Sequence, residues 1–341
     1  MEHIWKGVIA ALVTPMTAAE EVDLDRLGDI VEYLIAEGVQ GLAPLGSTGE
    51  YYALSPGERT AVVKATLAAA AETVPVVVGV NAGSTRDVVA YAREAEALGA
   101  DGVLLAAPYY SLPTPDELFE HFRRVNDAIG IPIMLYNCPG RTGVDMTPEL
   151  IERLAELGRV QYVKESTGDV TRIREILRRT DGKMRVFCGC DTVALESLRL
   201  GAVGWVGGVV NLLPKEHVQL FELACEEGDG HAAETLYHRL LPILSMMEDE
   251  GKYTQFVKAG CELTGRPVGP PRRPLLPPTA EDIRRLGEKL NLLGITAPAS
   301  LDRRPVVVPP AKLTLPLTHG GTARRTVVKG TAKPPVQPYQ E

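Results

Sequence analysis

The chain has 341 residues, 45% of them hydrophobic and 23% charged, with a formal net charge of -8. That is enough apolar material for one large core and a smaller annex, and the acidic balance excludes a nucleic-acid footprint. Cys138, Cys188, Cys190, Cys225 and Cys261 are an odd number at no metal-ligand spacing, and read as reduced packing residues of a cytoplasmic protein.

The first apolar run, 7–13, follows Glu2 and Lys6 and continues into Thr14-Pro15, as a buried strand meeting a loop does and a secretory segment does not. Seven more runs follow at 41–46, 75–81, 102–108, 131–138, 160–166, 185–190 and 203–210. None is long enough to span a bilayer without a charge. Between the runs, apolar spacing predicts helices over 24–37, 56–71, 85–98, 115–129, 148–157 and 170–179. Near-continuous apolar strands belong to parallel sheets covered by helices, and eight such units close naturally into an α/β fold of the (β/α)8 TIM-barrel type. A doubly wound open sheet is the competing architecture, but no Gly-x-Gly-x-x-Gly follows the first strand to mark a dinucleotide site.

Residues 1–225 are therefore expected to form the catalytic barrel and 226–296 a C-terminal helical domain, with helices over 230–250, 253–264 and 279–292. A Pro-rich connector over 266–278 is expected to run across the surface. From 297 to 341 the composition shifts to eight prolines and seven basic residues against Asp302 and Glu341. This is the pattern of a flexible or loosely docked Pro-rich basic tail; its Lys312–Leu315 patch offers the alternative of an edge strand added to a neighbouring subunit, and its charge that of an interaction scaffold.

Lys164 stands out because it interrupts a strand-like run. If 160–166 is a strand, Val160, Tyr162, Lys164 and Ser166 share one face, and Gln161, Val163 and Glu165 the other. Burying an ammonium is costly, and the usual escape is a depressed pKa that leaves a neutral amine able to attack a carbonyl. The structural alternative is a strand-end lysine paired with Glu165. Other polar residues stand where strands end, at Gly46-Ser47-Thr48-Gly49-Glu50, at Pro108-Tyr109-Tyr110, and at Tyr136-Asn137-Cys138-Pro139-Gly140-Arg141. Gly46 and Gly49 permit a tight turn that aims N–H groups at an anion.

Together, Gly46–Glu50, Tyr136-Asn137 with Pro139, and Lys164-Glu165-Ser166 resemble the dihydrodipicolinate synthase and N-acetylneuraminate lyase family of Schiff-base aldolases, over about residues 4–292. The resemblance implies a (β/α)8 barrel followed by a helical domain, a homotetramer built as a dimer of dimers, and neither cofactor nor metal. It implies that Lys164 forms an imine with pyruvate, while Tyr136 moves protons with Ser47 through Tyr110 of a neighbouring subunit. Backbone at Ser47 and Thr48, and around Val206, would hold the pyruvate carboxylate. Arg141 stands where the synthase branch binds the carboxylate of aspartate semialdehyde, so an acidic aldehyde is the implied second substrate and lysine/diaminopimelate biosynthesis the implied setting. Pairing with Asp145 is the structural alternative for Arg141.

Ser47 in place of a commoner threonine, and the stretches 204–208 and 252–258, are similar instead to branches that act as deaminases or dehydratases of keto-acid derivatives. Such an enzyme, a keto-sugar-acid aldolase or a non-catalytic keto-acid-binding protein are the alternatives. Tyr51, Pro56, Arg59 and Gly83 stand where regulated synthases place their lysine ligands, so feedback by lysine is not expected.

Overall fold

The computed structural model describes residues 4–295, so the expected tail at 297–341 lies outside it. Strand β1 (Gly7–Ala11) and helix α1 (Leu24–Ala36) open an alternation that continues with β2 (Gly41–Ala43), α2 (Pro56–Ala70), β3 (Val77–Gly79), α3 (Thr85–Leu98), β4 (Gly102–Ala106) and α4 (Pro115–Asn126). The second half runs β5 (Ile133–Asn137), α5 (Pro139–Thr142), α6 (Pro148–Leu154), β6 (Val160–Glu165), α7 (Thr171–Arg179), β7 (Arg185–Cys188), α8 (Ala194–Arg199), β8 (Gly204–Gly207) and α9 (Pro214–Phe221). Helices α10 (Gly230–Asp249), α11 (Tyr253–Leu263) and α12 (Ala280–Leu292) follow. Helix starts obey local chemistry: Ser55 with Glu58, Thr114 with Glu117 and Thr279 with Asp282 form capping boxes, two of them followed by proline in the first turn. Among the described residues no helix is long and apolar enough to cross a membrane.

All strand pairings in the sheet are parallel, in the order β2-β1-β8-β7-β6-β5-β4-β3. A parallel bridge between Leu42 and Val76 joins the two ends, where Leu42 N–H donates to Pro75 C=O at 2.9 Å and Gly79 N–H to Pro44 C=O at 2.9 Å. The result is a (β/α)8 barrel. Strand alternation then sorts the core into two. Ile9, Val77, Leu104, Met134, Phe187 and Val206 fill the barrel, while Val8, Val103, Leu105, Leu135, Val163 and Val186 pack outward under the helices. Trp5 plugs the floor, stacked on Tyr162 with ring centroids 4.3 Å apart.

One expectation changes. Val160 packs with the outer core rather than sharing the inner face with Tyr162 and Lys164, because the β5–β6 register shifts between Ile133 and Met134 and absorbs Gln161 as an extra residue. The 266–278 connector forms no helix or strand and runs largely over the surface, as expected, but it is clamped there. The Arg272 guanidinium pairs with Glu58 at 2.7 Å, its backbone N–H donates to Glu50 at 2.7 Å, and Val268 is fully buried. Helices α10 and α11 pack against the turns that follow β7 and β8. Lys258 of α11 reaches Glu50 in the loop after β2 at 2.6 Å, with both side chains out of solvent. These contacts bring the C-terminal helices over the end of the barrel where the polar strand ends lie.

Candidate active site

Lys164 points into the barrel near the end of β6 and is 6% exposed. Its register partner on β5 is Tyr136, whose ring centroid lies 4.4 Å from Lys164 Nζ. The pairing with Glu165 does not form, because Glu165 turns outward to Asn137 Nδ2 at 3.0 Å and the Arg172 guanidinium at 3.4 Å. Burial lowers the lysine pKa from its usual value, an effect that the buried Asp191 carboxyl partly opposes. The amine needs room as well. A Cβ at Gly189 on the neighbouring strand's end would sit 2.6 Å from Lys164 Cγ and 2.8 Å from Cε, so only glycine lets the chain lie there.

Around this amine is a cavity of about 390 Å³, lined by Ser47, Thr48, Tyr136, Arg141 and Lys164 together with Cys138, Ser166, Gly189 and residues of the C-terminal helices. In the loop after β2, the Gly49 and Glu50 amides turn back on Gly46 and Ser47 carbonyls, whereas the Ser47 and Thr48 amides donate to no group among the described residues. That leaves two N–H groups for an anion. Tyr136 is buried and its phenol is held well above the ordinary range, chiefly by burial, with Cys138 adding to the shift and Arg141 and the Ser47 hydroxyl opposing it. It remains protonated and able to pass a proton to or from a neighbour. Cys138, expected only to pack, lines the cavity too; burial pushes its thiol up to about 11, which keeps it from competing as a nucleophile.

Arg141, on the short helix α5, is exposed at the cavity rim and has no ion-pair partner among the described residues. The expected alternative partner, Asp145, is instead gripped by both terminal nitrogens of Arg172 at 2.9 and 3.0 Å. The remaining two residues are not brought into the cavity. The Val206 side chain is fully buried in the barrel interior, and Gly208 two residues on lines the space in its place. Tyr110 is 96% exposed on a left-handed backbone, φ 72°, and touches nothing in its own subunit's cavity. Arg59, in the region of the expected lysine ligands, is buried over the Tyr91 ring at 3.8 Å and donates to the Asn81 and Gly79 carbonyls.

Three further residues were not among the expected site residues: Glu248 and Tyr253 line the cavity, and Asp191 is bonded to both. Asp191, just past β7, is fully buried and accepts the Trp205 indole N–H at 2.8 Å and the Tyr253 hydroxyl. Tyr253 in turn accepts the Gly208 N–H at 2.9 Å, and Glu248 accepts the Asp191 backbone N–H at 2.9 Å. Burial, and then the neighbouring Glu248, raise the Asp191 carboxyl; burial likewise raises Glu248. Isolated in sequence, Asp191, Glu248 and Tyr253 form no local motif, and only the packing of α10 and α11 on the barrel end brings them together.

Comparison with known proteins places this arrangement. Residues 4–292 match the Dihydrodipicolinate synthetase family. A 4-hydroxy-tetrahydrodipicolinate synthase of Acidothermus cellulolyticus is 38% identical over 290 residues, covering 85% of this chain and 92% of that protein. Another from Halalkalibacterium halodurans is 35% identical over 284 residues, covering 83% of this chain and 96% of that one. Among solved structures, a dihydrodipicolinate synthase of Acinetobacter baumannii complexed with pyruvate is 34% identical with a TM-score of 0.81, covering 85% of this chain and 99% of that one. The barrel, the inward lysine and these matches over nearly all of the described residues agree: the chain belongs to the dihydrodipicolinate synthetase family.

Proposed function

We propose that this chain condenses pyruvate with aspartate semialdehyde through a Schiff base on Lys164. The observation that carries the reading is a buried amine with a lowered pKa, facing a protonated phenol inside a cavity large enough for two small acids. Lys164 Nζ attacks the pyruvate ketone, and loss of water leaves an imine whose protonated nitrogen draws electrons from the methyl carbon. A proton leaves that carbon and an enamine forms, which adds to the aldehyde. Tyr136 carries protons in both stages, through Ser47 and then Tyr110 of a neighbouring subunit. The Ser47 and Thr48 amides hold the pyruvate carboxylate, with backbone beyond Val206 closing that side. Arg141, without an ion-pair partner among the described residues, takes the acid of the aldehyde.

Solvent-exposed Tyr110 supports an oligomer in which it enters another subunit's cavity, and a dimer of dimers is the assembly proposed. The test is borohydride reduction in the presence of pyruvate, followed by mass mapping and by an assay of condensation with aspartate semialdehyde. A reduced pyruvyl adduct on Lys164 and condensation are expected. An adduct on another lysine, or none, overturns the imine. Release of ammonia or water from another keto-acid derivative without condensation overturns the aldehyde step alone.

A further inference from the structure

The wall beside Lys164 carries an acid that the condensation as described leaves unused. Glu248 lines the cavity from the last turn of α10; its Oε1 accepts the Asp191 backbone N–H, while Oε2 has no hydrogen-bond partner among the described residues. Stability does not favour this placement. A negative charge in the last turn opposes the helix dipole, and here it also adjoins a second carboxyl on Asp191. The Asp191 oxygens are committed to Trp205 and Tyr253, so they offer Glu248 no relief.

Two cations bear on Glu248, Lys164 and Arg141, while Asp249 adds a like charge. Lys164 is the nucleophile and works as a neutral amine. Arg141 lies on the other side of it: β5 and β7 flank β6 in the sheet, Arg141 follows β5, and Asp191 with its Glu248 follows β7. The Ser166 hydroxyl, buried without a hydrogen-bond partner among the described residues, lines the same cavity. A molecule seated over Lys164 therefore meets a guanidinium on one side and a carboxylate on the other.

We propose that Glu248 selects the second substrate by holding an ammonium group on the aldehyde whose carboxylate Arg141 holds. The substrate class is then an amino-acid semialdehyde, read at three points: the aldehyde carbon above the enamine, the acid toward Arg141, the amine toward Glu248. This rests on the condensation proposed above. Pyruvate, which has no amine, does not use Glu248.

The experiment compares aspartate semialdehyde with succinate semialdehyde, the same skeleton without the amino group, in the wild type and in Glu248→Gln. Pyruvate trapping at Lys164 is the control for an intact lysine site. Glu248→Gln should lower kcat/KM for aspartate semialdehyde about ten- to a hundredfold, mainly through KM, the loss typical of one charge-assisted contact. Succinate semialdehyde and pyruvate trapping should hold near wild-type values. An unchanged preference between the two aldehydes overturns the proposal, and so does an equal loss with both. If Glu248→Gln does not fold, Glu248→Asp keeps the charge but withdraws it by one methylene and should narrow the preference in the same direction. Wild-type protein that condenses neither aldehyde overturns the condensation itself and this inference with it. Condensation by the wild type with an unaltered preference in the variant overturns the inference alone.

Discussion

Tyr136 and Lys164 occupy paired positions on adjacent strands, so the phenol is fixed against the amine by backbone geometry and needs no loop to deliver it. Removing only its hydroxyl leaves the ring's packing in place. Tyr136→Phe should therefore melt within a few degrees of wild type yet turn over roughly a hundredfold more slowly, as expected when a proton carrier is lost. Steady-state kinetics with a thermal melt check this, and unchanged turnover would reduce Tyr136 to a packing residue. The glycine facing this pair carries a similar constraint with an opposite logic, since it acts by what it lacks. A methyl at Gly189 would meet Ser166 Oγ at 2.0 Å as well as the lysine chain.

At the scale of elements, Lys258 of α11 and Glu50 form an ion pair in which neither group has access to water. Breaking such a pair from one side strands a buried charge, at about 3–5 kcal/mol. Lys258→Met should show that loss in urea unfolding, and Lys258→Met with Glu50→Gln should recover part of it. All eight strands fall inside the expected runs, because each run is buried on both faces and bounded by turn residues; their ends are shorter because a run continues into the loop after its ladder stops. Helices with both proline and a capping box at their starts begin where expected, at 56 and 115, whereas the short α8 has neither signal and the short α9 has Pro214 but no side-chain cap, and neither stands out from its neighbours in the sequence. The site divides likewise. Tyr136 and Lys164 lie on strands, Ser47 and Arg141 just after them, and all four carry local motifs, while Asp191, Glu248 and Tyr253 converge only through tertiary packing, and Tyr110 finds no role within one subunit.

For the whole molecule, the exposed side chains of Tyr52, Tyr109, Tyr110 and Leu112 make one question decisive, that of subunit assembly. Tyr110 and Leu112 both sit on left-handed backbone, φ 72° and 48°, a conformation that costs energy in non-glycine residues. Tyr110→Arg should shift the protein toward monomer in sedimentation and lower turnover with it, whereas Tyr110→Phe should keep the assembly and lower turnover alone. A monomeric wild type with full activity would overturn both statements. Finally, the barrel is not equally fastened around its circumference. Strands β2 and β3 are three residues each and meet through a single bridge, while β5 and β6 share a ladder five residue pairs long. Opening should begin at that seam, so the amides of Leu42 and Gly79 should exchange with deuterium faster than those of β5 and β6. The loop carrying Ser47 and Thr48 leaves from the same edge. In rising denaturant, catalytic inactivation should therefore precede the loss of helical signal, with a window in which the protein is largely folded and already without the ordered Ser47–Thr48 turn.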